Sequence, residues 1–148
     1  MAGDTIAAEK SLSEIKSVIK ERKLPVSIEE YAIGYMYLWA KDTIMAEKHW
    51  RKAYNLDPEN PDRISDFIWL LIRSGINVEE GLELSQKSLK KIPDSNFLLW
   101  MNGLALHKSG KNAEALKMLK EADEKYMGYL KEFKDDLKEV ELAVANQK

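Results

Sequence analysis

The sequence predicts an all-α fold: an α-solenoid of three helix-turn-helix units with one further helix at each end, together one domain of 148 residues. Three observations predict it. Apolar residues recur at the helical period through most of the chain. Prolines and glycines fall in short polar turns between the periodic stretches. The chain also resembles itself at a spacing of about 34 residues, and stacked repeats of that length bury faces that none could bury alone.

The elements follow in order. Residues 4–24 carry Ile6, Leu12, Ile15 and Val18 or Ile19, a one-sided stripe ended by Pro25, so the N-terminal helix occupies the segment 1–26. The first unit, 27–60, opens on Ser27 and Glu30, spaced as a capping box. It continues through AEKHWRKAYNL and closes in LDPENPD, with Pro58 and Pro61. The second, 61–95, has Gly75 where a helix end needs a left-handed residue. Asn77 and Glu80 form the same kind of helix start, and EGLELSQKSLKKI leads to Pro93. The third, 96–129, contains FLLWMNGLAL, Phe97 to Leu106, apolar except for Asn102 and Gly103, and Gly110 is its turn residue. Residues 126–144 place Tyr126, Leu130, Phe133, Leu137, Val140 and Val144 in steps of four and three, one apolar seam on a charged helix. This C-terminal helix, 130–148 in the domain division, caps the stack.

The repeat is quantitative. Gly34 is followed by Ala46, Trp50, Ala53 and Pro58 at separations of 12, 16, 19 and 24, and Gly103 by Ala115, Leu119, Ala122 and Met127 at the same four. Ile68 leads to Gly81, Ser85, Ser88 and Pro93 at 13, 17, 20 and 25, longer by the one residue inserted in the turn GINVEE. Small residues at Gly34, Ala46 and Ala53 let two helices approach. Tyr37 and Trp50 then fill the space towards the next unit.

These residues resemble the tetratricopeptide repeat, whose signature is a Trp, a Leu-Gly pair, a Tyr, an Ala, a large aromatic, another Ala and a Pro. The first unit matches through Ile33-Gly34, Tyr37, Ala46, Trp50, Ala53 and Pro58, with Glu30 where the Trp is usual. The third keeps Gly103, Ala115 and Ala122 but has Asn102 for the Leu and Met127 for the Pro; in the second, Ile68, Gly81 and Ser88 replace the small residues of the pattern. The resemblance implies a right-handed superhelix whose first helices line a concave groove for a peptide or a partner's helix.

Composition narrows the function. Lys plus Arg number 23 and Asp plus Glu 25, a net charge of -2, so neither nucleic acid nor an acidic membrane surface is an expected partner. With no cysteine there is no disulfide or thiolate chemistry. No run reaches the roughly 20 apolar residues of a membrane span, and MAGDTIAAEK lacks the basic start and apolar core of a signal. The expectation is a soluble cytoplasmic domain; a secreted or periplasmic one stays compatible if a signal has been removed.

No phosphate loop, serine nucleophile motif or His-Glu-x-x-His occurs, and the carboxylates of KEFKDDLKE read as solvated pairs with their lysines. No catalytic residue, cofactor or metal site is therefore expected. His49 and His107 lack second ligands at metal spacing; His49 reads as a half-exposed surface residue and His107 as a solvated one near the groove.

The resemblance places Tyr31, Tyr35 and Trp39 of the first unit in the groove, with Asp66, Trp69 and Arg73 of the second. The third contributes Phe97, Trp100, Met101, Leu104, His107 and Lys108, while Leu99, Gly103 and Leu106 turn inward. Chaperone-binding members grip a carboxylate with Lys, Arg and Asn; the matching positions here hold Tyr31, Tyr35, Asp66, Phe97 and Met101, so that clamp is absent. The expected function is a non-catalytic protein-interaction module binding an apolar or helical segment, as a monomer or weak homo-oligomer. An accessory docking domain of a larger enzyme or assembly and a self-associating module are the alternatives. The C-terminal seam either fills the groove or stacks on the last unit.

Overall fold

The computed structural model describes residues 2–123 and 130–146. Eight helices account for most of them, and no strand occurs among the described residues. They are α1 (Ala2–Glu21), α2 (Val26–Trp39), α3 (Thr43–Leu56), α4 (Pro61–Ser74), α5 (Val78–Lys91), α6 (Asn96–Lys108), α7 (Asn112–Ala122) and α8 (Lys131–Ala145). Tyr126 and Met127 of the sequence reading lie outside the described residues, as does the side chain of Ile6. The chain divides between Leu70 and Leu71 into an N-terminal and a C-terminal part.

In the N-terminal part α1 packs on α2 and α2 on α3. The stripe of α1 resolves its ambiguity here: Ile19 is buried and Val18 exposed. Between α2 and α3, Ala46 and Ala53 are fully buried. A Cβ added to Gly34 would stand 2.0 Å from the Trp50 ring, so only glycine lets the indole lie across α2. Trp50 therefore fills the space inside the first helix pair, and Tyr37 stacks on His49 of the same pair at 5.3 Å. The expectation that these two rings reach towards the next unit is corrected accordingly. Phe67 of α4 is fully buried, with Tyr54 stacked on it at 5.6 Å and the Arg51 guanidinium 5.1 Å from its centre.

The expected capping box at Ser27 and Glu30 does not form. Pro25 is the N-cap of α2 and no side chain bonds the first turn. Glu30 instead turns towards α3, where His49 Nδ1 lies 2.7 Å from Oε2 and Lys52 bonds Oε1. An ion-paired glutamate thus stands where the family pattern has its tryptophan. Asn77 does start α5 as expected, accepting from Glu80 N at 3.2 Å. Asp42 does the same for α3 through Met45 N at 3.0 Å.

In the C-terminal part α6 is the central helix, packed against α5, α7 and α8. Every residue from Leu98 to Leu106 is buried, which explains why FLLWMNGLAL is apolar all round. Added Cβ atoms at Gly103 and Gly81 would meet Leu119 at 2.9 Å and Ile72 at 2.5 Å. The second repeat thus carries its contact glycine on the second helix, the reverse of the other two. Asn102, buried, donates to Ser85 Oγ at 3.3 Å.

The turns share one device. Lys41, Gly75 and Gly110 have φ of 61°, 72° and 79°, at intervals of 34 and 35 residues along the chain. Glycine supplies that left-handed conformation without strain at two of them; Lys41 adopts it at a cost.

A candidate docking surface

The sequence-derived residues fall into two groups, one in each part of the chain. In the N-terminal part, Tyr31, Tyr35 and Trp39 recur every four residues on α2 and so share one face. Tyr31 stacks on Trp50 at 5.8 Å and meets Tyr35 edge-on at 5.1 Å; Trp39 follows Tyr35 at 6.5 Å. Trp50 is the anchor beneath them: its ring is edge-on to Tyr35 at 4.9 Å, and its Nε1 donates to the Tyr31 carbonyl at 3.0 Å. The ladder starts half-buried and ends in water, with Trp39 76% exposed.

Asp66 of α4 faces this ladder. Both phenols donate to its Oδ2, Tyr35 at 2.7 Å and Tyr31 at a shorter distance, and the two hydroxyls lie 3.5 Å apart. Burial and the Asp66 carboxylate hold the Tyr31 phenol far above its ordinary value. Burial also raises Tyr35; its hydrogen bond with Tyr31 opposes this, and Asp66 adds to it. The phenols are thus fixed as neutral donors. Arg63 lies over the Tyr31 ring at 5.8 Å but spends its charge on Asp57. Trp69, three residues beyond Asp66 on α4, is half-buried.

The second group is arranged differently. Trp100, Met101 and Leu104, assigned to the groove from the sequence, are 5%, 0% and 4% exposed and so are core residues. The physical reason is α8, which supplies the missing cover on α6. Phe133 of α8 meets Trp100 edge-on at 5.7 Å, and Phe133 and Val140 are fully buried. Asp136 accepts from Trp100 Nε1 at 2.7 Å and takes Arg73 at two points, while the Arg73 guanidinium sits 5.1 Å from the Trp100 ring centre. Phe97 is half-buried with its ring 6.3 Å from Trp100, and Lys108 is exposed. His107 is half-buried and bonded on both ring nitrogens: Nδ1 lies 2.7 Å from Asn112 Oδ1 and Nε2 3.3 Å from Glu139 Oε1 on α8.

Asp136 is the residue that sequence reasoning missed. It was read as one of the solvated carboxylates of KEFKDDLKE, yet it is 7% exposed. A signal existed: Asp136 stands three residues after Phe133 and four before Val140, on the buried side of the seam.

No protein-family model and no curated protein matches the chain. Solved structures do. The first tetratricopeptide domain of Spaghetti (RPAP3), bound to an HSP90 peptide, superposes with a TM-score of 0.66 at 17% identity, covering 80% of this chain and 93% of that one. The Sgt2 domain from Aspergillus fumigatus gives 0.69 at 20% identity, covering 84% and 83%. MamA from Desulfovibrio magneticus gives 0.67 at 16%, covering 94% and 82%. The chain has the tetratricopeptide repeat fold. Within that fold the helices α2, α4 and α6 are the first helices of the three sequence repeats, which is why the candidate residues are carried by them. Among the described residues, no helix of this tetratricopeptide chain is long and apolar enough to cross a membrane.

Proposed function

We propose that this chain is a non-catalytic protein-interaction module that docks an apolar or helical segment of a partner on the α2 ladder. The observation that carries the reading is Trp39, an exposed tryptophan continuing a fixed row of aromatic rings. Tryptophan and tyrosine are the side chains most enriched at interface hot spots. The two tyrosine rings are held here by Trp50 and Asp66, so little of their side-chain freedom is lost on binding. The fold supports the reading as well, since the RPAP3 domain of the same fold is bound to a peptide. Tyr31, Tyr35, Trp39, Asp66 and Trp69 form the surface in this proposal. Trp100, Met101 and Leu104 do not contribute while α8 covers them.

The test is a paired capture experiment from cell extract with full-length wild-type protein and Trp39→Ala, quantified protein by protein. Partners retained by the wild type should be depleted several-fold on the variant, with the melting temperature unchanged. Identical retention by both proteins would remove the α2 face from the binding surface. Self-association through α8 is the weaker reading, because Phe133, Asp136 and Val140 are already buried within the same chain.

A further inference from the structure

We propose that Asp66, held by the phenols of Tyr31 and Tyr35, receives a lysine or arginine side chain from the docked segment. The inference rests on the docking reading above and adds the chemistry of the partner. Asp66 Oδ2 accepts from two neutral phenols, and its Oδ1 has no hydrogen-bond partner among the described residues. Hydrogen bonds from phenols orient a carboxylate but do not neutralise it. No described basic side chain forms an ion pair with Asp66; Arg63, on the same helix, is spent on Asp57. Asp62, one helical turn earlier on α4, adds a second negative charge close enough to act on Tyr35.

The geometry suits a long cationic side chain. The exposed Trp39 ring, its centre 6.5 Å from that of Tyr35, offers a surface along which an aliphatic stem can lie, and a cation near an aromatic face is attracted by its quadrupole. The head group then meets Oδ1 in a partly buried setting, where screening by solvent is weaker than on an open surface. An acidic side chain at the same place would face two aspartates. The surface therefore selects segments in which apolar residues flank a basic one.

The experiment is selection of a displayed library of random peptides on the full-length protein, with counter-selection on Trp39→Ala. Enriched peptides should carry Lys or Arg among apolar residues. Measured individually, they should bind Asp66→Asn roughly tenfold more weakly than wild type, and Asp66→Glu should restore most of the loss. Replacing the basic residue of a peptide by Gln should abolish the difference between wild type and Asp66→Asn. Enriched peptides without basic residues, or basic peptides indifferent to Asp66→Asn, overturn this inference and leave the docking surface standing. Failure to enrich any peptide on wild type over Trp39→Ala overturns the docking surface and the inference with it. Should Asp66→Asn lower the melting temperature by loosening α2, the Gln-substituted peptides on wild type decide the matter alone.

Discussion

Arg73 and Asp136, 63 residues apart in sequence, form a two-point ion pair, Nη1 to Oδ1 at 2.9 Å and Nη2 to Oδ2 at 2.7 Å. Trp100 completes it, donating to Asp136 from one side and lying beneath the guanidinium. The pair ties α8 to the last turn of α4, and the Trp100 bond ties it to α6, because a displacement of one helical residue would break all three bonds. Its value is directional: two charges satisfied by each other cost little, whereas either one left alone is expensive to keep from water.

Asp136→Ala should therefore destabilise the protein by about 2–4 kcal/mol, since it strands the Arg73 charge and the Trp100 N–H together. Arg73→Ala should cost at least as much, because it leaves the more deeply buried Asp136 carboxylate without a cation, whereas Glu132 stays within 3.9 Å of Arg73 when Asp136 is removed, and the double variant should recover part of the sum. Urea melts of the four proteins in a double-mutant cycle measure this. Strict additivity would show that the ion pair does not hold α8 in place.

Two tryptophans make opposite expectations. Trp100→Ala, in the core, should cost about 3–5 kcal/mol. Trp39→Ala, largely exposed, should leave the melting temperature almost unchanged and act on partner binding. Deletion of α8 should uncover Trp100, red-shifting tryptophan emission and raising hydrophobic-dye binding. A truncated protein as stable and dye-silent as the parent would contradict the burial seen at Trp100 and Phe133.

The first helix pair is tuned by one missing methyl group. Gly34→Ala should destabilise by about 1–3 kcal/mol through collision with Trp50. A Trp50→Leu change in the same chain should relieve part of the collision, since an added Cβ at Gly103 would stand 2.9 Å from Leu119 where one at Gly34 would stand 2.0 Å from Trp50. Lys41→Gly should act the other way and stabilise by up to about 1 kcal/mol, by removing a side chain from a left-handed position. Denaturant midpoints of these variants decide each case.

Glu30 makes stability depend on pH at the acid end. Burial raises its carboxyl, but bonds from Lys52 and His49 outweigh that and hold it below the ordinary 4.5. A depressed carboxyl contributes stability that is fully present above 4.5 and is lost as pH falls through the lower folded-state value. Glu30→Gln should be less stable than wild type at neutral pH and should converge with it below that point. Parallel curves down to strong acid would remove the ion pair from the ledger.

At the alkaline end the sign reverses. Tyr31 and Tyr35 hold their protons above the ordinary 10.0. Their stabilising contribution is complete below that pH and is lost as pH rises through the folded-state values. Tyr31→Phe should therefore flatten the fall of stability above pH 10, and its absence should remove one late-ionising phenol from the ultraviolet titration.

The repeat was readable because it rests on local rules. Helical periodicity, the left-handed glycines Gly75 and Gly110 and the start of α5 at Asn77 depend on near neighbours in the chain, and the spacing of Gly34 and Gly103 from their partners repeats. Several features needed the tertiary structure because their partners come from distant segments. Glu30 looked like a cap and is an ion-pair centre, since Lys52 and His49 approach it from another helix. Asp136 looked like one more solvated carboxylate, and its burial follows only from where α8 meets Arg73 and Trp100. Trp39 and Trp100, a first-helix residue pair of one chemistry, have opposite exposure for the same reason. Sequence pattern says that a face must be covered; which segment covers it is settled by packing across the whole chain, where burial at one site is chosen against every alternative.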